Sequence, residues 1–109
     1  MFIASLIFNV WPDNRREFVS ATEGMVDRLR SWPGCLACRL VSDCHAENVF
    51  VIISEWDSRA LLDRYLASPE FRVLQGTRIL LRDGPTLSVD EVLSRHRGPG
   101  PTHRRALVT

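Results

Sequence analysis

The sequence predicts an α+β domain: an antiparallel sheet with helices on one face. Three observations predict it. The patterns run strand, helix, strand, strand, helix, helix, strand along the chain. Residues 48–57, NVFVIISEWD, are apolar on both alternating faces of a strand. The 109 residues, 45% hydrophobic, suffice for one domain with a real core but not for two.

Residues 2–10, FIASLIFNV, are rich in strand formers and read as the first strand. In the following WPDNRREF, Pro12 suits a helix start and Asp13 can cap it. That helix is expected to run to about Ser31, with Phe18, Thr22, Met25, Val26 and Leu29 on one stripe. Trp32-Pro33-Gly34 ends it, because proline breaks the hydrogen-bond ladder and glycine permits the turn. Residues 35–43 and 48–57 read as two strands joined by the polar turn DCHAEN. In the second, Val49, Val51 and Ile53 point one way, and Phe50, Ile52 and Trp56 the other. Helices of a small domain cover one sheet face only. The second apolar face therefore implies a partner, and a homodimer through the sheet is expected.

Ser58 caps a second helix with Leu61, Leu62, Tyr65 and Leu66 inward. Ser68-Pro69-Glu70 starts another helical segment carrying Phe71, Leu74, Arg78 and Leu81. Asp83-Gly84-Pro85 reads as a turn and TLSVDEVL as the last strand. The order is that of a split βαβ of ferredoxin-like type, with no internal repeat. The domain spans residues 1–94. Residues 95–109, rich in Gly, Pro and Arg, read as a basic disordered tail.

All 14 basic residues are arginine. Residues 1–94 hold 10 of them against 13 acids, a net of −3, so the body argues against nucleic-acid binding. No apolar run approaches the roughly 18 residues that span a bilayer, so no membrane association is expected. Residues 1–10 are apolar but lack a basic flank and a cleavage site, and read as strand, not signal peptide. A reducing cytoplasm is the expected compartment.

Cys35-Leu36-Ala37-Cys38, with Cys44-His45 close behind, raises metal and redox chemistry. In a regular strand Cys35 and Cys38 point to opposite faces and cannot share an ion without a bulge. A redox CxxC usually opens a helix, whereas this one enters a strand. They read as small apolar residues, and no metal site is expected.

PGCLACRLVSD followed by NVFVIISEWDSRALLDRYLASPEF resembles the antibiotic biosynthesis monooxygenase family. The shared elements are Pro33-Gly34-Cys35, Glu55-Trp56 and Ser68-Pro69-Glu70-Phe71, and the resemblance covers about residues 2–93. It implies a dimeric α+β barrel with a pocket between each sheet and its helices. It also implies a monooxygenase, cofactor-independent, that oxidises a small aromatic or quinol-type molecule with O₂. Such chemistry needs a dry apolar pocket, a proton acceptor and donors for an oxyanion. Haem-degrading members resemble one another in a helical Trp and His; those positions hold Tyr65 and Gln75 here, and Asn9 lies near their first-strand Asn. Anthrone-oxidising members carry an Asn where this chain has Ile52.

Candidate residues follow, each with a plainer reading. Arg39 can hold a phenolate as a catalytic group, or pair with an acid such as Glu55 or one across the dimer. Tyr65 can donate to a bound oxyanion, or be a core tyrosine. Trp56, Phe71, Gln75 and Asn9 are candidate substrate contacts; packing, solvated-face and turn roles compete. His45 is a base by type but sits in a turn. A non-catalytic ligand-binding or regulatory dimer is the alternative function, and a haem enzyme a minor one.

Overall fold

Alternation in the first strand fixes the two faces of the sheet. Ala4, Leu6, Phe8 and Val10 are buried, while Ile3, Ser5, Ile7 and Asn9 point the other way. The computed structural model describes residues 1–94 and 102–108. Among these, β1 (Phe2–Val10), β2 (Cys35–Ser42), β3 (Val49–Trp56), β4 (Leu81–Ser94) and β5 (Thr102–Val108) form one antiparallel sheet in the order β2-β3-β1-β4-β5. β3 sits between β1 and β2, which splits the βαβ unit.

Three helices cover one face: α1 (Arg15–Leu29), α2 (Arg59–Leu66) and α3 (Pro69–Gln75), the last continued by a 3₁₀ turn over Gly76–Leu80. The α1 stripe is buried at Phe18, Thr22, Val26 and Leu29. Phe18 packs on Phe8 at 5.0 Å and on Phe50 at 5.4 Å between ring centroids, which locks helix to sheet. Asp13 does not cap α1. A 3₁₀ turn at Pro12–Asn14 comes first, and Asn14 at the helix N-cap turns its amide to the Leu80 carbonyl. Ser58 and Ser68 do cap α2 and α3, accepting from the Leu61 and Phe71 amides.

Three further expectations change. The turn expected at residues 83–85 lies inside β4, which begins at Leu81 and shifts register against Asn9. Gly84 makes this possible: its φ is +98°, and a Cβ there would stand 2.8 Å from the Ile7 carbonyl oxygen. Part of the expected tail is strand, because Thr102–Val108 pairs with β4. β4 would otherwise offer an unpaired row of amides and carbonyls, which a further strand satisfies whatever its composition. Residues 95–101 lie outside the described residues. Third, a bulge at Leu36 resets β2: Cys35 faces Trp56 and Ala37 faces Glu55.

Gly34 ends the α1–β2 connection at φ +87°, where a Cβ would meet the Leu61 Cβ and Cδ1 at 2.6 Å. Gly34→Ala is therefore expected to cost about 3 kcal/mol, from left-handed strain plus displacement of α2. A urea midpoint within experimental error of the parent would refute this.

Candidate functional site

The helix-facing end of β3 carries Trp56, fully buried. The Ser58 cap sets the phase of α2 so that Leu62 and Tyr65, three apart, both point to the sheet. Tyr65 then lies on Trp56 with centroids 5.3 Å apart and planes 23° from parallel. The Ser68 hydroxyl ties the next corner, donating to the Tyr65 carbonyl at 2.6 Å while its oxygen accepts from the Phe71 amide at 3.2 Å. That brings Phe71 edge-on to Tyr65 at 5.5 Å, and Trp32, just past α1, meets it edge-on from another side at 5.5 Å. The result is a nest of four aromatic side chains centred on Tyr65.

Two polar groups in the nest have different fates. The indole N–H of Trp56 donates to Ser54 Oγ at 2.8 Å and is satisfied. The Tyr65 hydroxyl has no hydrogen bond among the described residues. Tyr65 borders a narrow crevice, about 10 Å³, lined also by Met25, Arg28, Leu29, Trp32 and Glu70. Arg28 and Glu70, both half-exposed, pair across it at 3.6 Å and join α1 to α3. Burial, with smaller contributions from the neighbouring Cys38, Glu70 and Cys35, pushes the Tyr65 pKa well above its ordinary 10.0. The phenol stays protonated and is a hydrogen-bond donor, not a base.

The bulge at Leu36 corrects the thiol geometry. Cys35 and Cys38 lie opposite Trp56 and Ser54, so both are on the helix face instead of opposite ones. Cys38 is buried and Cys35 partly so. Burial, then the neighbouring Cys35, pushes the Cys38 thiol from 9.0 to about 12; burial also raises Cys35. Their sign gives a pH prediction. From about pH 9 to about pH 12 the unfolded chain releases protons that the folded chain keeps, so stability falls as pH rises through that window. Urea midpoints under reducing conditions between about pH 8 and pH 11 check this; a flat profile would contradict it.

Of the residues singled out from sequence, Trp56, Tyr65 and Phe71 come together. Arg39 does not join them. It is exposed on the opposite sheet face, across from Ile53, with Ala37 and Val41 but without Cys35. Asn9 is on that same open face, opposite Val49 and Asp83. Gln75 is exposed at the end of α3, and Arg78 is exposed in the 3₁₀ turn beyond. His45 is exposed in a turn whose amides bond the Asp43 carboxylate. Gln75 is thus a surface glutamine, while Tyr65 is buried. No three His, Cys, Asp or Glu among the described residues are grouped to hold a metal ion. No described helix is long and apolar enough to cross a membrane.

Sequence reasoning missed Arg28, Trp32 and Glu70 as site residues. Trp32 read as the end of α1 and Glu70 as a helix-start charge. Both carry a local signal, but the crevice that unites them is made by packing between α1 and α3.

Residues 1–77 match the family model for antibiotic biosynthesis monooxygenases. A crystal structure of an antibiotic biosynthesis monooxygenase is 27% identical, with a TM-score of 0.73 over 82% of this chain and 95% of that one. A Deinococcus radiodurans protein, provisionally named for the same activity, superposes with a TM-score of 0.83 over 92% of this chain and all of its own (100%) at 17% identity, a likeness of fold. An uncharacterised Synechocystis protein is 32% identical over 62 residues, 57% of this chain; the match spans 42% of that relative's length.

Proposed function

The chain belongs to the antibiotic biosynthesis monooxygenase family, and from that premise we propose that the Tyr65 nest binds a small aromatic or quinol-type molecule and that the protein oxygenates it with O₂, without a cofactor. The observation that carries this reading is a protonated phenol at the heart of an aromatic nest, bonded to no described group and sharing a crevice with the Glu70 carboxylate. A flat ring finds apolar faces there. Glu70 takes the proton of the substrate, and Tyr65 donates to the oxyanion that forms. The anion gives one electron to O₂, and the substrate radical and superoxide join in a C–O bond. For a methylene between two aryl rings, loss of water leaves a carbonyl; one oxygen atom stays and the other departs as water. The crevice is too narrow for a ring while Arg28 and Glu70 stay paired, so binding parts them and swings Trp32 aside. Arg39 then lies outside the Tyr65 crevice; on the open sheet face it lines a separate depression of about 320 Å³ with Ile3, Ala37, Ile53 and Glu55.

That face carries Ile3, Ile7, Val41, Val49, Val51 and Ile53, and a second copy covers it in a homodimer.

The test is oxygen uptake by chelator-treated protein with reduced quinols and anthrones, set against the no-protein rate. Tyr65→Phe and Glu70→Gln are each expected to lower the rate about 10²-fold, the typical effect of one oxyanion donor or one proton acceptor. Both variants at the parental rate would remove these two residues from the mechanism. A ligand-binding or regulatory dimer is the second reading, favoured by a crevice of about 10 Å³, no larger than the space one water needs. Binding of the same molecules without uptake would select it.

A further inference from the structure

We propose that Cys35 and Cys38 form a redox-modification site, which a two-electron oxidant of the peroxide class closes into a reversible disulfide beside the aromatic nest. The bulge at Leu36 carries the inference. By absorbing one extra residue it places both cysteines on one face, opposite two residues of β3, Trp56 and Ser54, that are themselves only two apart. The two β3 residues they oppose stand roughly 6.6 Å apart, at the outer end of the range of about 4.4–6.8 Å over which Cα atoms are bridged by a disulfide, and closure must also draw the two Cβ atoms in to about 3.5–4.5 Å. A regular strand would have aimed the sulfurs apart. Leu36, the residue squeezed out, is 57% exposed and its neighbourhood is free to adjust.

The two thiols are also unequal. Cys35 is partly exposed and its Sγ makes only a weak contact, 3.4 Å, to the Ala37 carbonyl, while Cys38 is buried behind it. Peroxide therefore reaches Cys35 first. The O–O bond breaks, the Cys35 sulfur becomes a sulfenic acid and one water leaves. Cys38 then attacks that sulfur, the S–S bond forms, and the second water departs. Two thiols and one peroxide give one disulfide and two waters. Burial keeps both thiols largely protonated near neutrality, so closure is slow beside the reaction of a free, exposed thiol. Because both cysteines lie on the helix face, a second copy on the open face leaves them uncovered. Closure draws β2 together next to Trp56 and Tyr65, which makes the nest itself the reporter.

Native protein is treated with hydrogen peroxide, alkylated, unfolded and digested with trypsin. Cleavage after Arg30 and Arg39 yields one peptide, residues 31–39, that holds both cysteines and excludes Cys44. The expected product is this peptide lighter by two hydrogens and blocked to alkylation. It returns to two alkylatable thiols after dithiothreitol, and near-ultraviolet aromatic circular dichroism changes and recovers in parallel. In Cys38→Ser the resolving thiol is gone, and Cys35 is trapped as a sulfenic acid by a cyclic diketone. The proposal is overturned if the folded protein keeps two free thiols while urea-unfolded protein bridges them. It is equally overturned if the peptide gains oxygen without bridging, or if Cys35 or Cys38 links instead to Cys44. None of these readouts depends on oxygenase activity.

Discussion

Replacing Trp56 by alanine is expected to cost about 4 kcal/mol of folding stability, the largest loss of any single side chain here. The usual range for a buried aromatic truncated to alanine is about 3–5 kcal/mol, and three features place Trp56 in its upper half. The side chain is fully buried, so no atom of it is already in water. It is stacked on Tyr65, an arrangement worth about 0.5–1.5 kcal/mol beyond area alone. Its N–H bonds Ser54 Oγ, which in turn reaches only a 3.5 Å contact with the Ala4 carbonyl, so the buried serine loses its better partner. Domains of this size have only about 5–15 kcal/mol in total, so the variant sits near unfolding at physiological temperature. Urea unfolding at fixed protein concentration measures it, the fixed concentration being needed because association adds apparent stability. Ser54→Ala separates the contributions: it strands the indole N–H and is expected to cost about 1–3 kcal/mol. A loss under about 1 kcal/mol for Trp56→Ala would mean that the nest refills and that Trp56 does not organise it.

Such a variant tests a part of the structure that was legible in the sequence, and the reason is physical. Period-two alternation in β3 put Phe50, Ile52 and Trp56 on one face without any knowledge of their neighbours. The Ser58 and Ser68 caps are local chemistry, one hydroxyl and one amide three residues on, so the helix starts and the inward set Leu62, Tyr65 and Phe71 followed from short windows. Register is not local. CLACRLV contains no glycine or proline to mark a bulge, and the slip at Leu36 exists only because Trp56 and Glu55 are fixed by β1 on their other side. One residue of slip reversed the face of Cys35 and separated it from Arg39. The Arg28–Glu70 pair joins residues on different helices and could not be read from either. β5 shows the same limit from composition: an arginine-rich segment read as tail, yet an open strand edge recruits backbone, and backbone is common to every sequence.

The open sheet face gives the second large effect. Val51→Arg is expected to convert a dimer to a monomer that keeps its fold. Val51 is central on that face, flanked in register by Ile7 on β1 and Val41 on β2, with no charged residue directly opposite on either side. In one copy the site borders solvent, so an arginine can extend its head into water and the sheet tolerates it. Between two copies related by a two-fold axis, two guanidinium groups would enter an apolar contact together, and an unpaired buried charge costs several kcal/mol. Ile53 is a poorer choice, because it stands opposite Arg39 and an arginine there would repel within the single copy as well. Sedimentation equilibrium reads the association, and far-ultraviolet circular dichroism with aromatic fluorescence reads the fold. A parent that sediments as a monomer would remove the sheet-to-sheet dimer. A Val51→Arg protein that still dimerises would move the interface elsewhere, and Arg39 would then need a partner from its own chain. Loss of dimer with an intact Tyr65 nest would show that the nest is built within each copy, so oxygen uptake by that monomer would say whether the second copy contributes to chemistry or only covers the apolar face.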